Sequence, residues 1–281
     1  MSGSLLEVEE LQVRFRTPTR TVEAVRGVSF SLGRERLGIV GESGSGKTVT
    51  GRALLRLVRP PGQVTARRMR FDGQDLLSLC ERGMRAIRGG RISMVMQDPK
   101  FSLNPVMRIG RQLTEAMRVH GGGSRTALRK RALAMLEAVR IRDPERVMRA
   151  YPHELSGGMG QRVMIAMMLL PEPDLLIADE PTSALDVTVQ LEVLRILDGL
   201  VRSRGMGLIF VSHDLNLVAT FCDRVLVMYA GRVVEEIEAK RLAEAKHPYT
   251  QGLIDCLPKI GAQRDSLPTL RRDARWREAG A

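Results

Sequence analysis

The chain has 281 residues, an apolar content of 43% that suits an ordinary globular core, and a formal net charge of +12. Its apolar runs are shorter than the roughly 18 residues of a membrane-spanning helix, and its first residues do not resemble a secretory signal, so neither a membrane span nor secretion is predicted. The scattered Cys80, Cys222 and Cys256 exclude a disulfide framework or a C-x-x-C metal site. The positive charge suits an acidic partner, such as nucleic acid, lipid headgroups or a nucleotide, or reflects an arginine-rich composition without a binding role.

Two alternating apolar stretches, residues 6–15 and 25–32, predict strands of an antiparallel β layer. Between them, residues 16–26 contain no aromatic side chain that could stack on a nucleotide base. Phe15 is the nearest candidate, although a place in the core of its strand is the stronger interpretation. Residues 69–71 and 91–96 predict two further short strands.

A glycine-rich segment follows a predicted strand at Arg36–Val40 and fits the phosphate-binding pattern G-x-x-x-x-G-K-[ST] at every fixed position. Its glycines let backbone N–H groups face one concavity, which matches the oxygens of a polyphosphate. The predicted phosphate-binding residues of this segment, the phosphate loop, are Gly41, Ser43, Gly44, Ser45, Gly46, Lys47 and Thr48.

Two side chains of the phosphate loop have predicted roles of their own. Lys47 reaches the outer phosphates, and the Thr48 hydroxyl ligates Mg²⁺. The helix predicted over residues 48–58, stopped by Pro60-Pro61, adds the positive end of its dipole. A flexible glycine turn with a chance lysine is the alternative, but the strand and helix that flank this loop argue against it.

Residues 108–150 are predicted to be helical, with Gly121-Gly122-Gly123 separating two helices. The second helix places apolar residues on one face and basic residues largely on others, which indicates a helical insertion with a solvated basic surface. The apolar positions are Leu128, Ala132, Met135, Leu136 and Val139, and the basic ones are Arg125, Arg129, Lys130, Arg131 and Arg140.

A second glycine-rich turn, at residues 155–162, leads into an apolar helix predicted over residues 163–170. Because a helix N-terminus attracts anions, the chain has two potential phosphate cradles. One nucleotide in one core rarely needs both.

Polar residues end two of the later predicted strands. Asp179 and Glu180 follow a strand at residues 174–178, at the carboxyl end where open α/β sheets bind ligands. Two carboxylates would repel a polyphosphate unless a cation were present, and Mg²⁺ supplies that cation. His213 ends a strand at residues 208–212, so a functional role is favoured over a structural one.

In order, these features resemble the ATP-binding subunit of ABC transporters over residues 5 to about 258. The resemblance implies that Thr48, Gln97 and Asp179 hold Mg²⁺, Asp179 mainly through water. It also implies that Lys47 binds the phosphates of ATP, that Glu180 polarises the attacking water, and that His213 contacts the γ-phosphate.

The fold that the resemblance implies is α/β. It has a phosphate-loop ATPase core with a mainly parallel sheet, an antiparallel β layer and a helical insertion subdomain. We expect one ATPase domain over residues 1–258, with the insertion at about 99–165. We also expect a hairpin of residues 224–229 and 232–237 at the far side of the sheet, and a loosely ordered basic tail over residues 259–281.

In ABC transporters the serine-glycine-glycine signature closes over ATP held by a second subunit in a head-to-tail dimer. The resemblance therefore implies that Ser156, Gly157 and Gly158 cap the γ-phosphate on the second subunit. Asp186, in the Ser183-Ala184-Leu185-Asp186 segment, would carry contact between the two sites. This arrangement accounts for the second phosphate cradle.

Residues 161–167 and the His-Pro-Tyr-Thr-Gln-Gly-Leu segment at 247–253 look like the peptide and nickel importer group. The implied function is an ATP hydrolase, peripheral on the cytoplasmic face of the bacterial inner membrane, that powers import. Its implied partners are a second ATP-binding subunit, with a heterodimer favoured, two transmembrane permease subunits and an extracytoplasmic binding protein. Met159 replaces the usual signature glutamine, and Cys256 without a cysteine cluster argues against an iron–sulfur centre.

Two other functions stay open at this point. An ABC-type ATPase acting on nucleic acid would use the +12 charge, but fewer than 60 residues lie between Gln97 and Leu155, too few for very long coiled coils, so no nucleic-acid partner is expected. An exporter ATPase is commonly fused to membrane helices, which the sequence does not show. The transported molecule, a peptide or a nickel or other metal chelate, is selected by other subunits and is not specified by this chain.

Residues 99–107 contain Phe101, Leu103, Pro105 and Val106 without a clear period. We expect them to form a surface groove that receives a short cytoplasmic helix of a transmembrane subunit, because apolar residues on a loop otherwise need explaining. Packing beneath the helical insertion is the alternative.

Overall fold

The computed structural model of the protein describes residues 3–96, 102–182, 185–257 and 276. The chain forms two compact units. One consists of Met1–Leu79 and Ile209–Ala281, and the other is Cys80–Leu208. The second unit is thus inserted in sequence between the two parts of the first. The domain boundaries expected from the sequence stay a prediction.

The described part of the chain contains both strands and helices. The strands are β1 (Leu6–Arg16), β2 (Thr21–Leu32), β3 (Arg36–Val40), β4 (Gly62–Thr65), β5 (Arg68–Phe71), β6 (Gln74–Asp75), β7 (Ile92–Val95), β8 (Leu175–Asp179), β9 (Gly207–Ser212), β10 (Arg224–Tyr229) and β11 (Arg232–Glu238). The α-helices are α1 (Lys47–Leu54), α2 (Glu81–Ile87), α3 (Ile109–His120), α4 (Arg125–Ala138), α5 (Pro144–Arg149), α6 (Gly157–Leu169), α7 (Val187–Arg204), α8 (Leu215–Phe221) and α9 (Pro248–Asp255). Within these ranges, no helix combines the length and the apolar composition needed to cross a bilayer.

The first unit contains the predicted antiparallel β layer. Strand β1 pairs antiparallel with β2, with Leu6 opposite Leu32, and also with β4 and β5. Apolar residues of β1 such as Val8 and Val13 are buried, and they alternate over much of the strand with more exposed positions. One face of this layer therefore packs on the core, as period-2 alternation predicts.

The strand that leads into the phosphate loop lies beside the hairpin near the carboxyl end of the chain. Strand β3 pairs parallel with β10, and β10 pairs antiparallel with β11, which confirms the hairpin predicted from the sequence. The Arg36 guanidinium forms an ion pair with Asp223, with 2.6 Å between Nη2 and Oδ1. This contact fixes the start of β3 next to the start of β10.

The second unit contains a pair of parallel strands and the predicted helical region. Strands β7 and β8 pair parallel, and every residue of both is buried, as expected for strands covered on two faces. The Asp174 N–H donates to the Arg91 carbonyl over 2.9 Å, and the two side chains form an ion pair. These contacts set the register of β8, which ends at Asp179.

Residues 108–150 form three helices rather than the two expected from the glycine run. The third, α5, begins at Pro144, and the Asp143 side chain caps it by accepting from the Arg146 N–H over 3.0 Å. The apolar face predicted for α4 is confirmed, since the five apolar positions from Leu128 to Val139 are buried. The five predicted basic positions are exposed.

Candidate nucleotide-binding site

The phosphate loop connects β3 to α1 and has the backbone that its glycines permit. Gly41, Gly44 and Gly46 all have positive φ angles, of 154°, 81° and 103°. A Cβ atom on Gly41 would lie 2.1 Å from the Met228 carbonyl oxygen, and one on Gly46 would lie 2.5 Å from the Ala24 carbonyl oxygen. These two positions therefore require glycine both for conformation and for space.

Lys47 is the first residue of α1, one position before the predicted start of the helix. Its side chain is only 5% exposed, and its ammonium group donates to the Gly41 carbonyl over 2.7 Å and to the Glu42 carbonyl over 2.9 Å. The charge is thus held over the beginning of the loop by backbone oxygens. Helix α1 ends at Leu54, four residues before the predicted end.

The rest of the loop is closed by backbone hydrogen bonds. The Ser45 N–H donates to the Glu42 carbonyl over 3.1 Å, and the Gly231 N–H donates to the Ser45 carbonyl over 3.0 Å. Ser43 and Gly44 are exposed, whereas Ser45 is buried and Thr48 is half-buried. The turn between β10 and β11 therefore contacts the backbone of the phosphate loop at Ser45 and stabilises it.

The carboxylates predicted to act with Mg²⁺ lie at the end of β8. Asp179 is 3% exposed, and Glu180 is half-buried with a φ angle of 46°, a conformation that residues other than glycine seldom adopt. The Gln161 side-chain amide donates to the Pro181 carbonyl, immediately after Glu180. Backbone strain of this kind persists where the surroundings enforce it, and it is common at functional sites.

Gln161 is a residue whose contribution sequence reasoning missed. Its side chain is buried, and its hydrogen bond joins α6 to the segment after Glu180. The sequence pattern placed Gln161 in a group signature, but nothing in that pattern indicates which backbone group the amide contacts. The structure reveals the contribution of Gln161, because it shows a buried polar side chain next to a candidate catalytic residue.

The serine-glycine-glycine segment is part of a helix rather than a turn that precedes one. Helix α6 begins at Gly157, six residues before the predicted start, and Ser156 is its N-cap, with its hydroxyl accepting from the Met159 N–H over 3.4 Å. Gly157 and Gly158 thus occupy the first turn, where backbone N–H groups lack partners within the helix. Such a terminus attracts anions in general, and the phosphate contact expected for this segment stays a prediction.

Asp186 and His213 both lie next to helix starts. Asp186 is the N-cap of α7, and its carboxylate accepts from the Val189 N–H over 3.0 Å. His213 is exposed between the end of β9 and Asp214, which caps α8. The Ser212 hydroxyl accepts from the Asp214 N–H over 3.0 Å, so the turn that carries His213 is fixed on both sides.

The predicted site residues fall in both units. The phosphate loop and His213 belong to the first unit, and they follow β3 and β9, which are neighbours in one sheet. Asp179, Glu180, Asp186 and the segment from Ser156 to Gly158 belong to the second. Gln97, Phe101, Ser183 and Ala184 lie outside the described residues.

Two of the residues predicted to hold Mg²⁺ carry suitable ligand atoms. The Thr48 hydroxyl and the Asp179 carboxylate are oxygen ligands, which Mg²⁺ prefers. Among the described residues, no group of three or more His, Cys, Asp or Glu side chains could hold a metal ion. Each of these two side chains is a donor of the kind that Mg²⁺ takes at nucleotide sites, where phosphates and water complete its shell.

The strand, phosphate loop and helix, with an acidic strand end in the second unit, define a phosphate-loop ATPase. Residues 25–183 match the family model described as ABC transporter. The chain belongs to the ABC transporter family, and its enzymatic activity is ATP hydrolysis coupled to transport.

Proteins similar to this chain agree with that assignment. It is 49% identical over 270 residues to a probable peptide ABC transporter ATP-binding protein, y4tR, of Sinorhizobium fredii, covering 95% of this chain and 81% of the relative. It is 46% identical to the dipeptide transport ATP-binding protein DppD of Haemophilus influenzae, covering 95% and 82%. A dimeric post-hydrolysis structure of the ATP-binding cassette MJ0796, bound to ADP and Pi, superposes with a TM-score of 0.74 at 26% identity, covering 83% of this chain and 98% of the cassette.

Proposed function

We propose that this chain binds ATP with Mg²⁺ at the phosphate loop and hydrolyses it to power a peptide importer. The observation that carries ATP binding is the loop itself, in which glycine backbone surrounds a buried Lys47 whose ammonium group is held on the Gly41 and Glu42 carbonyls. A polyphosphate would offer the ammonium group charged oxygens, which form stronger hydrogen bonds than neutral acceptors do.

The other site residues would divide the work of hydrolysis. Thr48, Asp179 and Gln97 would hold Mg²⁺, which would neutralise phosphate charge when bound. Glu180 would accept a hydrogen bond from the attacking water and orient it, and His213 would contact the γ-phosphate. The catalysis expected from such a set is mainly positioning and charge stabilisation.

Peptides are the substrate class that the similar proteins favour over nickel or another metal chelate. Curated relatives from Sinorhizobium fredii, Haemophilus influenzae and Bacillus subtilis are described as peptide, dipeptide and oligopeptide transport proteins. The proposed assembly has two transmembrane permease subunits, an extracytoplasmic binding protein and a second ATP-binding subunit, with a heterodimer favoured. The chain would lie on the cytoplasmic face of the inner membrane.

The proposed ATP site is tested with two variants of opposite kind. Glu180→Gln keeps the shape of the side chain but removes its charge, so MgATP should still bind while turnover falls by at least about 100-fold. Lys47→Ala removes a charge-assisted contact, so the Kd for ATP should rise by more than about tenfold. Unchanged ATP affinity in Lys47→Ala would show that the phosphate loop is not the nucleotide site.

The proposed substrate is tested in the assembled transporter. Vesicles that contain the purified complex and its binding protein should take up a labelled dipeptide or oligopeptide when ATP is on the cytoplasmic side. Uptake of a nickel chelate without peptide uptake would reassign the substrate and leave the ATPase assignment intact.

A further inference from the structure

Tyr249 reaches the phosphate loop from the carboxyl end of the chain. It is the second residue of α9, its side chain is 0% exposed, and its hydroxyl accepts a hydrogen bond from the Glu42 N–H over 3.1 Å. The two residues are 207 positions apart in sequence and belong to the same compact unit. A buried phenol in contact with the loop backbone can influence the loop without touching the nucleotide.

The Glu42 N–H and the Gly41 carbonyl belong to one peptide group. In a trans peptide these two groups point in opposite directions. The N–H donates to Tyr249, and the carbonyl accepts from the Lys47 ammonium over 2.7 Å. A single rigid plane is therefore held by Tyr249 on one side and by Lys47 on the other. Rotation of this peptide would break both contacts together.

The surroundings of Tyr249 leave its ring little freedom. The His247 Nδ1 atom caps α9 by accepting from the Tyr249 N–H over 3.1 Å. The ring lies 4.6 Å from the Tyr229 ring and 6.0 Å from the Trp276 ring, measured between centroids. The start of α9 and the packing of the neighbouring rings thus fix the position of the Tyr249 hydroxyl. This hydroxyl is therefore a rigid support for the phosphate loop.

We propose that Tyr249 is a positioning residue of the phosphate loop, which sets the orientation of the 41–42 peptide and, through it, of the Lys47 ammonium group. This inference rests on the proposed binding of ATP phosphates by Lys47. It assigns a role to the His-Pro-Tyr-Thr segment, which in the sequence indicates only membership of a group. Loss of the phenol hydroxyl leaves the Glu42 N–H without this acceptor and frees the peptide to turn.

The test compares two tyrosines of the same aromatic cluster. Tyr249→Phe should raise the Kd for the fluorescent analogue trinitrophenyl-ATP by about tenfold, within the range expected for one net hydrogen bond. Tyr229→Phe removes a hydroxyl from the neighbouring ring and should change this Kd by less than about twofold. Equal effects of the two changes, or no effect of Tyr249→Phe, would overturn the inference.

A double-mutant cycle separates positioning of Lys47 from a general loss of structure. In the Lys47→Ala background, Tyr249→Phe should have almost no further effect on the Kd, because the group that it positions is absent. The same tenfold loss in both backgrounds would overturn the positioning role. If Lys47→Ala binds the analogue as the unaltered protein does, the proposed ATP site itself fails, and the inference fails with it.

Amide hydrogen exchange of the unaltered protein provides a reading that needs no variant. The hydrogen bond to Tyr249 predicts that the Glu42 amide exchanges slowly, in line with the amides of α9 rather than those of exposed turns. Exchange at the rate of a solvent-exposed amide would overturn the inference even if Tyr249→Phe failed to fold.

Discussion

Gly158 lies so close to Val189 that a Cβ atom on Gly158 would be 2.8 Å from the Val189 Cγ1 atom. Gly157, one residue earlier in the first turn of α6, has no other described atom within 4 Å of the corresponding position. The two signature glycines therefore lack side chains for different reasons. Gly158 allows α6 and α7 to approach each other, whereas packing within the described chain does not require glycine at position 157.

The first prediction uses this difference. Gly158→Ala should lower the free energy of unfolding by about 1–3 kcal/mol, because the β-branched Val189 cannot turn aside, and Val189→Ala should restore part of the loss. Gly157→Ala should leave the melting temperature unchanged or slightly higher, because alanine favours a helix more than glycine does. The measurement is thermal unfolding of the three variants.

If Gly157 faces a nucleotide bound to a second subunit, Gly157→Ala should nevertheless reduce the ATPase activity of the assembled transporter. A methyl group would then occupy space that the partner's ligand needs. Full activity together with full stability would mean that Gly157 has no role at a composite site.

The phosphate loop could be predicted from sequence because its chemistry is local. Its glycines, Lys47 and Thr48 lie within eight residues, so the sequence motif and the folded loop consist of the same short segment. The start of α6 was predicted wrongly for an equally local reason. Gly157 and Gly158 have low helix propensity, so the sequence pattern did not predict a helix that includes them. Ser156 is nevertheless the N-cap of this helix in the structure.

Contacts that depend on tertiary structure could not be predicted. The hydrogen bond from Glu42 to Tyr249 spans 207 positions, and neither residue type indicates its partner. The same holds for Gln161 and the Pro181 carbonyl. Hydrophobic periodicity predicted the buried face of α4. It does not predict which polar groups form hydrogen bonds with each other in the folded chain.

The second prediction concerns the cysteines. Cys222 is buried, and burial raises the pKa of its thiol well above the ordinary value, whereas Cys80 is exposed. In native protein at about pH 8, a maleimide reagent should therefore label Cys80 rapidly, while Cys222 should react only after unfolding. Mass spectrometry of peptides after timed labelling provides the measurement. Rapid native labelling of Cys222 would contradict the burial seen here.

The raised pKa of Cys222 also has a stability consequence with a definite sign. The folded state favours the protonated thiol, so this stabilisation is complete below the unfolded pKa of about 8.5 and is lost as pH rises through the folded value. Cys222→Ala should therefore flatten the alkaline decline in stability, and Cys80→Ala is the control.

The third prediction concerns the expected groove at residues 99–107 and contrasts one exposed residue with one buried residue. Val106 is 80% exposed, whereas Leu103 is 4% exposed. Val106→Asp should leave the stability of the isolated chain within about 0.5 kcal/mol but reduce ATP-driven transport by the complex. Leu103→Asp should destabilise the chain itself by several kcal/mol, on the order of the cost of burying an unpaired charge.

Phe101 lies outside the described residues, so its place in the groove stays an expectation from the sequence. If that expectation is right, Phe101→Asp should uncouple transport and preserve basal ATPase activity. If Val106→Asp and Phe101→Asp both transport normally, the docking of a permease helix on residues 99–107 is wrong.

The last prediction is that the serine-glycine-glycine signature acts on ATP bound to the second ATP-binding subunit. Two observations motivate it. Gly157 is exposed without a packing reason for being glycine, and the cassette structures that superpose on this chain include dimeric ones. The isolated chain should therefore hydrolyse ATP slowly, with a rate per chain that rises with protein concentration.

The decisive comparison places Ser156→Arg and Lys47→Ala either in the same subunit or in opposite subunits of a purified dimer. If the signature acts in trans, changes on opposite subunits damage one composite site and leave the other intact, so about half of the activity survives in a symmetric dimer with independent sites. Changes in the same subunit damage both composite sites and abolish activity. In a heterodimer, each placement is compared with its own single variants, because the two sites need not contribute equally. Equal activities for the two placements in a symmetric dimer would refute action in trans, and survival only of the same-subunit placement would show that the signature serves the ATP of its own chain.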